Sequence, residues 1–517
     1  MKVNNSKVSN ELKLSFITKN IYMGTINRII TIFLSFISRT VFIQVLGLQY
    51  LGIGNLFVSI LHVLSMADLG FQSAIVYCMY KPIVNKDNVT LSALMTYFKK
   101  IYRIIAIAVL IIGLSLIPLL DQIVNLEQPI DNLLIFYLMY LANTIASYLF
   151  IYKTTITTAH QKSYLLNSYD IIFTILQVGL QIILLLIFRN FILYLFIQLL
   201  GTFSRNFYKA YRSEQLYPFI REKVQINNDL KKEVINNVKS MFVYRIGATL
   251  LNNIDNIFIS ILAGTIWIGY YSNYILVVTA LTTFITIVSN SIIATIGNIN
   301  VNTDIQRQYK IFNALNLLLW WIFSLCATSL LVLFQDFIEI WLGSEFQLSY
   351  IIVLGIVLNF YLPGTLRAIS IFRDTTGMFK QTKYIYLITC ILNLILSFLM
   401  GNLWGLAGIL FATVFARLLT NFWFEPYIIF RNYFKISPFT YFKNQGIYWL
   451  TFSIATIGTL FLGSMLNFNL FLNFLIKIFL CLLIPNALFL IMAKKRDEFQ
   501  YINIMISKIM NRRKILE

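Results

Sequence analysis

Residues 25–52 read TINRIITIFLSFISRTVFIQVLGLQYLG, and residues 242–269 read FVYRIGATLLNNIDNIFISILAGTIWIG. An offset of 217 carries Arg28 onto Arg245, Ser35 onto Asn252, Arg39 onto Asn256, Gly47 onto Gly264 and Gly52 onto Gly269. Thr25, Arg28, Thr31, Ser35 and Arg39 recur every three or four residues, which places them on one face of a helix. The rest of each stretch is apolar. Arg28 and Arg39 lie eleven residues apart, or about 16 Å along a helix axis. Either side chain alone can reach an interface, but the two do not reach the same one. A guanidinium in the middle of a bilayer costs roughly 2.5–3.5 kcal/mol on insertion scales, a cost that water or a bound anion offsets. A basic stripe built twice therefore points to two similar lobes facing a wet cavity, with an anionic cargo.

Composition sets the medium. Hydrophobic residues make up 58% of the 517 and charged residues 12%, far from the soluble average. There is too little charge to cover soluble domains of this length, so the surface is lipid-facing. The net charge of +20 suits basic cytoplasmic loops and gives no reason to invoke nucleic acid. Cys78, Cys326, Cys390 and Cys481 fall in apolar runs with no CxxC spacing, and the two histidines, His62 and His160, supply no metal centre. No cofactor and no metal are expected. The first apolar run, to about residue 46, lacks a small-residue exit and reads as an uncleaved first span.

At about 20 residues per crossing, fourteen segments qualify: 20–46, 51–80, 103–120, 132–152, 164–188, 190–209, 235–262, 266–298, 310–334, 348–371, 384–400, 403–424, 446–466 and 470–493. Lys and Arg alternate with Asp and Glu between the two sets of loops, which predicts cytoplasmic N- and C-termini. The expected fold is an all-α integral membrane protein of about 14 transmembrane helices. It has two parallel six-helix lobes around a central cavity and two extra C-terminal helices. The expected organisation is an N-terminal lobe at 1–212, a cytoplasmic linker at 213–232, a C-terminal lobe at 233–432, and the last two spans with a basic tail at 433–517. Gly401-x-x-x-Gly405 reads as a small-residue packing pattern.

Candidate cavity residues are Arg28, Ser35, Arg39, Arg245, Asn252 and Asn256. Asp68, Asp170 and Asp255 are candidates for ion coupling through H+ or Na+, with static pairing to an arginine as the simpler reading of Asp68. Span five adds Thr174, Gln177 and Gln181 on the face of Asp170. Enzyme signatures are absent: there is no G-x-S-x-G, no phosphate-binding Walker loop and no H-E-x-x-H. The outer loops are too short for a catalytic domain.

Ser38-Arg39-Thr40, Leu46-Gly47, Tyr50-Leu51-Gly52, Asp68-Leu69-Gly70 and Tyr80-Lys81-Pro82 together resemble the first two spans of Wzx-type oligosaccharide flippases. These are the polysaccharide-export members of the superfamily that also holds the multidrug-and-toxin extruders and the lipid II flippases. The resemblance covers residues 35–105 and extends loosely along the chain. It implies a non-enzymatic carrier in the bacterial cytoplasmic membrane that moves an oligosaccharide on a polyprenyl diphosphate from the cytoplasmic leaflet outward by alternating access. Arg28, Arg39 and Arg245 would meet the diphosphate, with a polysaccharide polymerase and glycosyltransferases as partners. An anion moving outward gains about 2.3 kcal/mol per charge per 100 mV. The lipid II branch places cavity arginines on spans two and eight as well, and this chain has none there. The alternatives are a drug or cation antiporter of the same superfamily, a lipid II flippase, and a membrane glycan polymerase.

Overall fold

The computed structural model describes residues 2–65, 71–300, 304–376, 378–382 and 384–502. Among them every regular element is helical. The chain divides into two compact units, Met1–Ser272 and Asn273–Glu517.

The first unit contains α1 (Lys2–Leu46), α2 (Leu48–Leu64), α3 (Phe71–Val84), α4 (Asn88–Ser115), α5 (Leu120–Ile123), α6 (Leu133–Ala159), α7 (Ser163–Phe188), α8 (Phe191–Leu216), α9 (Asn228–Ala263) and the start of α10 (Thr265–Asn300). The second holds α11 (Ile305–Trp341), α12 (Tyr350–Thr365), α13 (Arg367–Thr375), α14 (Phe379–Thr382), α15 (Ile385–Leu419), α16 (Asn421–Ile428), α17 (Phe439–Ser464) and α18 (Leu470–Ala493). Short polar side chains start several helices by taking an otherwise orphaned backbone N–H. Asp87 accepts from Thr90 N, Asn190 from Leu193 N and Asn469 from Leu472 N.

Eleven described stretches are long and apolar enough to cross a membrane. The other expected crossings fall on three features. The α2 helix is apolar but only 17 residues long; the segment expected at 51–80 continues into α3, and residues 66–70 lie outside the described set. The α8 helix is 26 residues long but carries Arg205, Lys209 and Arg212. The stretch Ile385–Phe434 passes as one but doubles back on itself. Asn393 Nδ2 donates to Thr413 Oγ1 at 2.8 Å across 20 residues, which a continuous helix would hold about 30 Å apart. The corner is Gly405, at φ 55° and ψ −133°, a conformation open only to glycine. Gly405 is thus the turn of the pattern Gly401-x-x-x-Gly405, while Gly401 is buried where the two arms pack closely: a Cβ on Gly408 would stand 3.0 Å from Gly401 N.

The polar stretch 213–232 is mostly ordered. The α8 helix runs to Leu216, a 3-10 turn covers Pro218–Arg221, and α9 begins at Asn228 behind the cap Asn227. It joins α8 to α9 inside the first unit, and the two units part within α10.

The repeat explains why the start of α10 stays with the first unit. Gly47 (φ 85°) ends α1 before α2, and Gly264 (φ 109°) ends α9 before α10, so both copies turn the same corner. A Cβ on Gly52 would lie 1.9 Å from Thr265 O, and one on Gly269 would lie 2.5 Å from Leu48 O. Thr265 is the 217-offset counterpart of Leu48. The contact is therefore reciprocal, as a local two-fold requires. Bare glycine on both sides lets the backbones touch.

In the second unit, α11 packs against α12, α17 and α18. Trp320 stacks on Tyr448 at 4.4 Å between ring centroids. Arg373 Nη1 donates to Glu425 Oε1 at 2.7 Å, and both side chains are only 1% exposed.

Candidate functional site

The reciprocal glycine contact carries polar groups beside it. Arg39, two turns before the Gly47 corner, donates from Nη1 to Ser272 Oγ at 2.6 Å. Ser272 Oγ in turn donates to Gly269 O at 2.8 Å. Asn256, the repeat partner of Arg39, donates from Nδ2 to Ser59 Oγ at 2.8 Å. The side chain on α1 thus reaches α10, and its counterpart on α9 reaches α2. Each copy crosses to the second helix of the other.

Arg39 also lines an open cavity of about 290 Å³ within the first unit, between α1, α2, α6, α7 and α8. This is close to the lower end of ligand-pocket sizes. The polar wall comprises Ser35, Ser38 and Arg39, Asn55 opposite them, Gln177 and Gln181 from α7, Gln198 and Tyr194 from α8, and Tyr140. Gln181 is buried, and its Nε2 donates to Tyr194 O at 3.2 Å. Asn55 Nδ2 donates to Leu51 O at 3.0 Å. Among the described residues the wall holds one guanidinium and no carboxylate. A space of that sign favours an anion or a hydroxyl-rich group, since amides and hydroxyls offer adaptable hydrogen bonds beside one fixed positive charge. The apolar parts of the wall, Phe42, Leu51, Val58 and Val178, lower the local dielectric and strengthen that charge.

The structure sorts the expected residues. Ser35 and Arg39 share the cavity. Arg28 is exposed and lies outside it, as does the exposed Asn252. Arg245 and Asp255 are half-buried and do not line it. Asn256 is engaged by Ser59. Asp170 accepts from Lys209 Nζ at 2.8 Å and lies 3.8 Å from Arg205 Nε. Asp68 lies outside the described residues. Among the described residues no three His, Cys, Asp or Glu side chains are placed to hold a metal ion.

Sequence reasoning did not assign Ser38, Asn55, Tyr140, Tyr194 or Gln198 to the site, and it placed Gln177 and Gln181 on a face without a partner. The available signal was Gln198, alone in the apolar run FILYLFIQLLG at 191–201. Arg373 falls between the expected spans 348–371 and 384–400, and its side chain is buried against Glu425.

No protein-family model matches the chain, and no curated protein sequence does. Solved structures do. A lipid II flippase MurJ in an inward closed conformation superposes with a TM-score of 0.66 at 17% identity, covering 92% of this chain and 99% of that one. An inward-facing multidrug resistance MATE family transporter of the MOP superfamily gives 0.54 at 11% identity, covering 74% and 90%. A Vibrio cholerae MATE transporter gives 0.54 at 13% identity, covering 80% and 95%. At these identities the likeness establishes the fold. This chain has the all-helical fold seen in MOP-superfamily transporters.

Proposed function

We propose that the chain is a flippase that moves polyprenyl-diphosphate-linked oligosaccharide units from the cytoplasmic to the outer leaflet for surface-polysaccharide assembly, without catalysing a reaction. In this reading it crosses the bacterial cytoplasmic membrane fourteen times with both ends inside. Two parallel six-helix lobes alternate access to a central cavity, and the last two spans are an addition.

The observation that carries the reading is the Arg39 cavity. A guanidinium held by Ser272 suits a phosphate, and the surrounding glutamines, serines and tyrosines suit sugar hydroxyls. The reciprocal Arg39–Ser272 and Asn256–Ser59 bonds lie beside the glycine contact of the repeat, which supports coupling of the cavity to the two repeats in alternating access. A cationic drug is a poor fit for a wall with a guanidinium and no carboxylate. A glycan polymerase needs a catalytic group that the cavity does not supply.

The test is a deletion strain. Lipid-linked single repeat units should accumulate, accessible only from the cytoplasmic side. Units exposed on the outer face would point to a failed polymerase instead, and unchanged polymer output would refute the assignment.

The overlay with the lipid II flippase supports a second reading, because lipid II also presents a diphosphate and sugars. Competition between lipid II and an oligosaccharide carrier lipid for the purified protein separates the two.

A further inference from the structure

We propose that the groove between α4 and α6 is a binding site for the phosphodiester head group of an anionic membrane phospholipid. The site is separate from the Arg39 cavity, with which it shares no lining residue.

The groove encloses about 260 Å³. Lys99 and Arg103 reach it from α4 and Lys153 from α6. Its inner wall is aromatic: Tyr102, Tyr148 and Tyr152 are all buried. Tyr102 and Tyr148 lie 6.0 Å apart between centroids, and Lys99 Nζ stands 5.9 Å from the centre of the Tyr152 ring. The Tyr152 ring supports the Lys99 ammonium, and Arg103 is exposed at the edge of the groove.

The charge is not neutralised from within. Lys153 is paired with Glu214 at 2.6 Å, but Arg221 takes the other oxygen of that carboxylate at 2.9 Å. Among the described residues Lys99 and Arg103 form no salt bridge. Cations at this density repel one another and favour a bound anion.

Their height along the helix identifies which anion. Lys99, Arg103, Ile107 and Ile111 are spaced by four and share one face of α4. From Ile107 onward that face is exposed and apolar, as a lipid-facing surface is. On α6, Leu149 is exposed one turn before Lys153. The basic residues therefore sit where acyl chains give way to head groups, the level at which basic pockets between membrane helices hold anionic lipid. A soluble phosphate would gain nothing from the apolar faces of Ile107, Ile111 and Leu149, whereas a phospholipid fills both parts at once.

The test uses the purified full chain in phosphatidylcholine nanodiscs, with phosphatidylglycerol as the probe and bound lipid counted by native mass spectrometry. Wild type should retain phosphatidylglycerol in preference to phosphatidylcholine. Lys99→Gln with Arg103→Gln should weaken that retention about thirty-fold, at roughly a factor of five per basic residue. Lys231→Gln, an exposed charge on α9, should leave it unchanged. Arg103→Gln alone, with its exposed side chain, tests the proposal at about five-fold if the double variant does not fold. Retention unchanged in these variants would overturn the proposal. So would equal retention of phosphatidylcholine, or displacement of the lipid by inorganic phosphate at the lipid's own concentration.

Discussion

Replacing Gly52 by alanine adds one methyl group where there is no room for it. The new Cβ would stand 1.9 Å from Thr265 O, 2.8 Å from Thr265 C and 3.3 Å from Gly269 N. Carbon needs about 3.5 Å from such atoms, so α2 and the start of α10 must part by roughly 1.5 Å. The obstacle is backbone, which no rotamer change clears. Overpacking of this kind costs about 1–3 kcal/mol, and the backbone obstacle puts Gly52→Ala at the upper end. Gly269→Ala meets Leu48 O at 2.5 Å and should be somewhat milder. Separation also stretches the Arg39–Ser272 and Asn256–Ser59 bonds that flank the contact. At 2–4 °C per kcal/mol for a unit near this size, the melting temperature in detergent should fall by roughly 5–10 °C. The control is Gly179→Ala on α7, whose Cβ meets nothing within 4 Å. It should melt at or slightly above wild type, because alanine favours helix over glycine by about 1 kcal/mol. Gly52→Ala melting with wild type and Gly179→Ala would refute the close-contact reasoning.

Arg373→Met leaves Glu425 as an uncompensated buried charge and should destabilise the protein by about 3–5 kcal/mol. Adding Glu425→Gln should recover much of that loss, measured by detergent melting of the single and double variants. Lys153, followed by Arg221, holds the Glu214 carboxyl below its ordinary range by hydrogen bonding and charge. The stabilisation is therefore present above the unfolded-state carboxylate range and is lost as pH falls through the lower folded value. Glu214→Gln should flatten the melting-temperature profile in that acidic window and leave its shape at neutral pH unchanged.

Most of the long helices were legible because their apolar runs are long enough to read alone, whereas the run at 51–80 falls on the short α2 and a separate α3. The break between the segments 384–400 and 403–424 was legible, but the corner falls at Gly405, inside the second segment, where the glycine reads as packing until its backbone angles are seen. Arg39 was legible because a guanidinium in an apolar run is expensive, so its presence demands a reason. Gln198, Tyr140 and Tyr194 were not, since one uncharged polar group in a membrane helix costs little and is common as packing. Arg28 shows the limit of the repeat: the offset pairs it with Arg245, but Arg28 is exposed and Arg245 half-buried, so equivalent positions do not share an environment. The Arg373–Glu425 pair spans 52 residues, and no local pattern encodes it. The crossed bonds of Arg39 and Asn256 were hidden for a different reason. The offset shows which residues correspond, and only the fold shows that each reaches the other copy's second helix.

The most direct test of the Arg39 cavity is leaflet exchange of a fluorescent polyprenyl-diphosphate oligosaccharide in proteoliposomes holding equal amounts of folded wild type, Arg39→Ala or Arg39→Lys. Charge-assisted hydrogen bonds contribute about 1.5–3 kcal/mol. Arg39→Ala should therefore slow exchange by roughly ten- to a hundred-fold, with Arg39→Lys in between. Ser272→Ala, which removes the Arg39–Ser272 bond and keeps the guanidinium, should slow it far less. Exchange at the wild-type rate in Arg39→Ala, or no exchange above empty liposomes in wild type itself, would contradict the account.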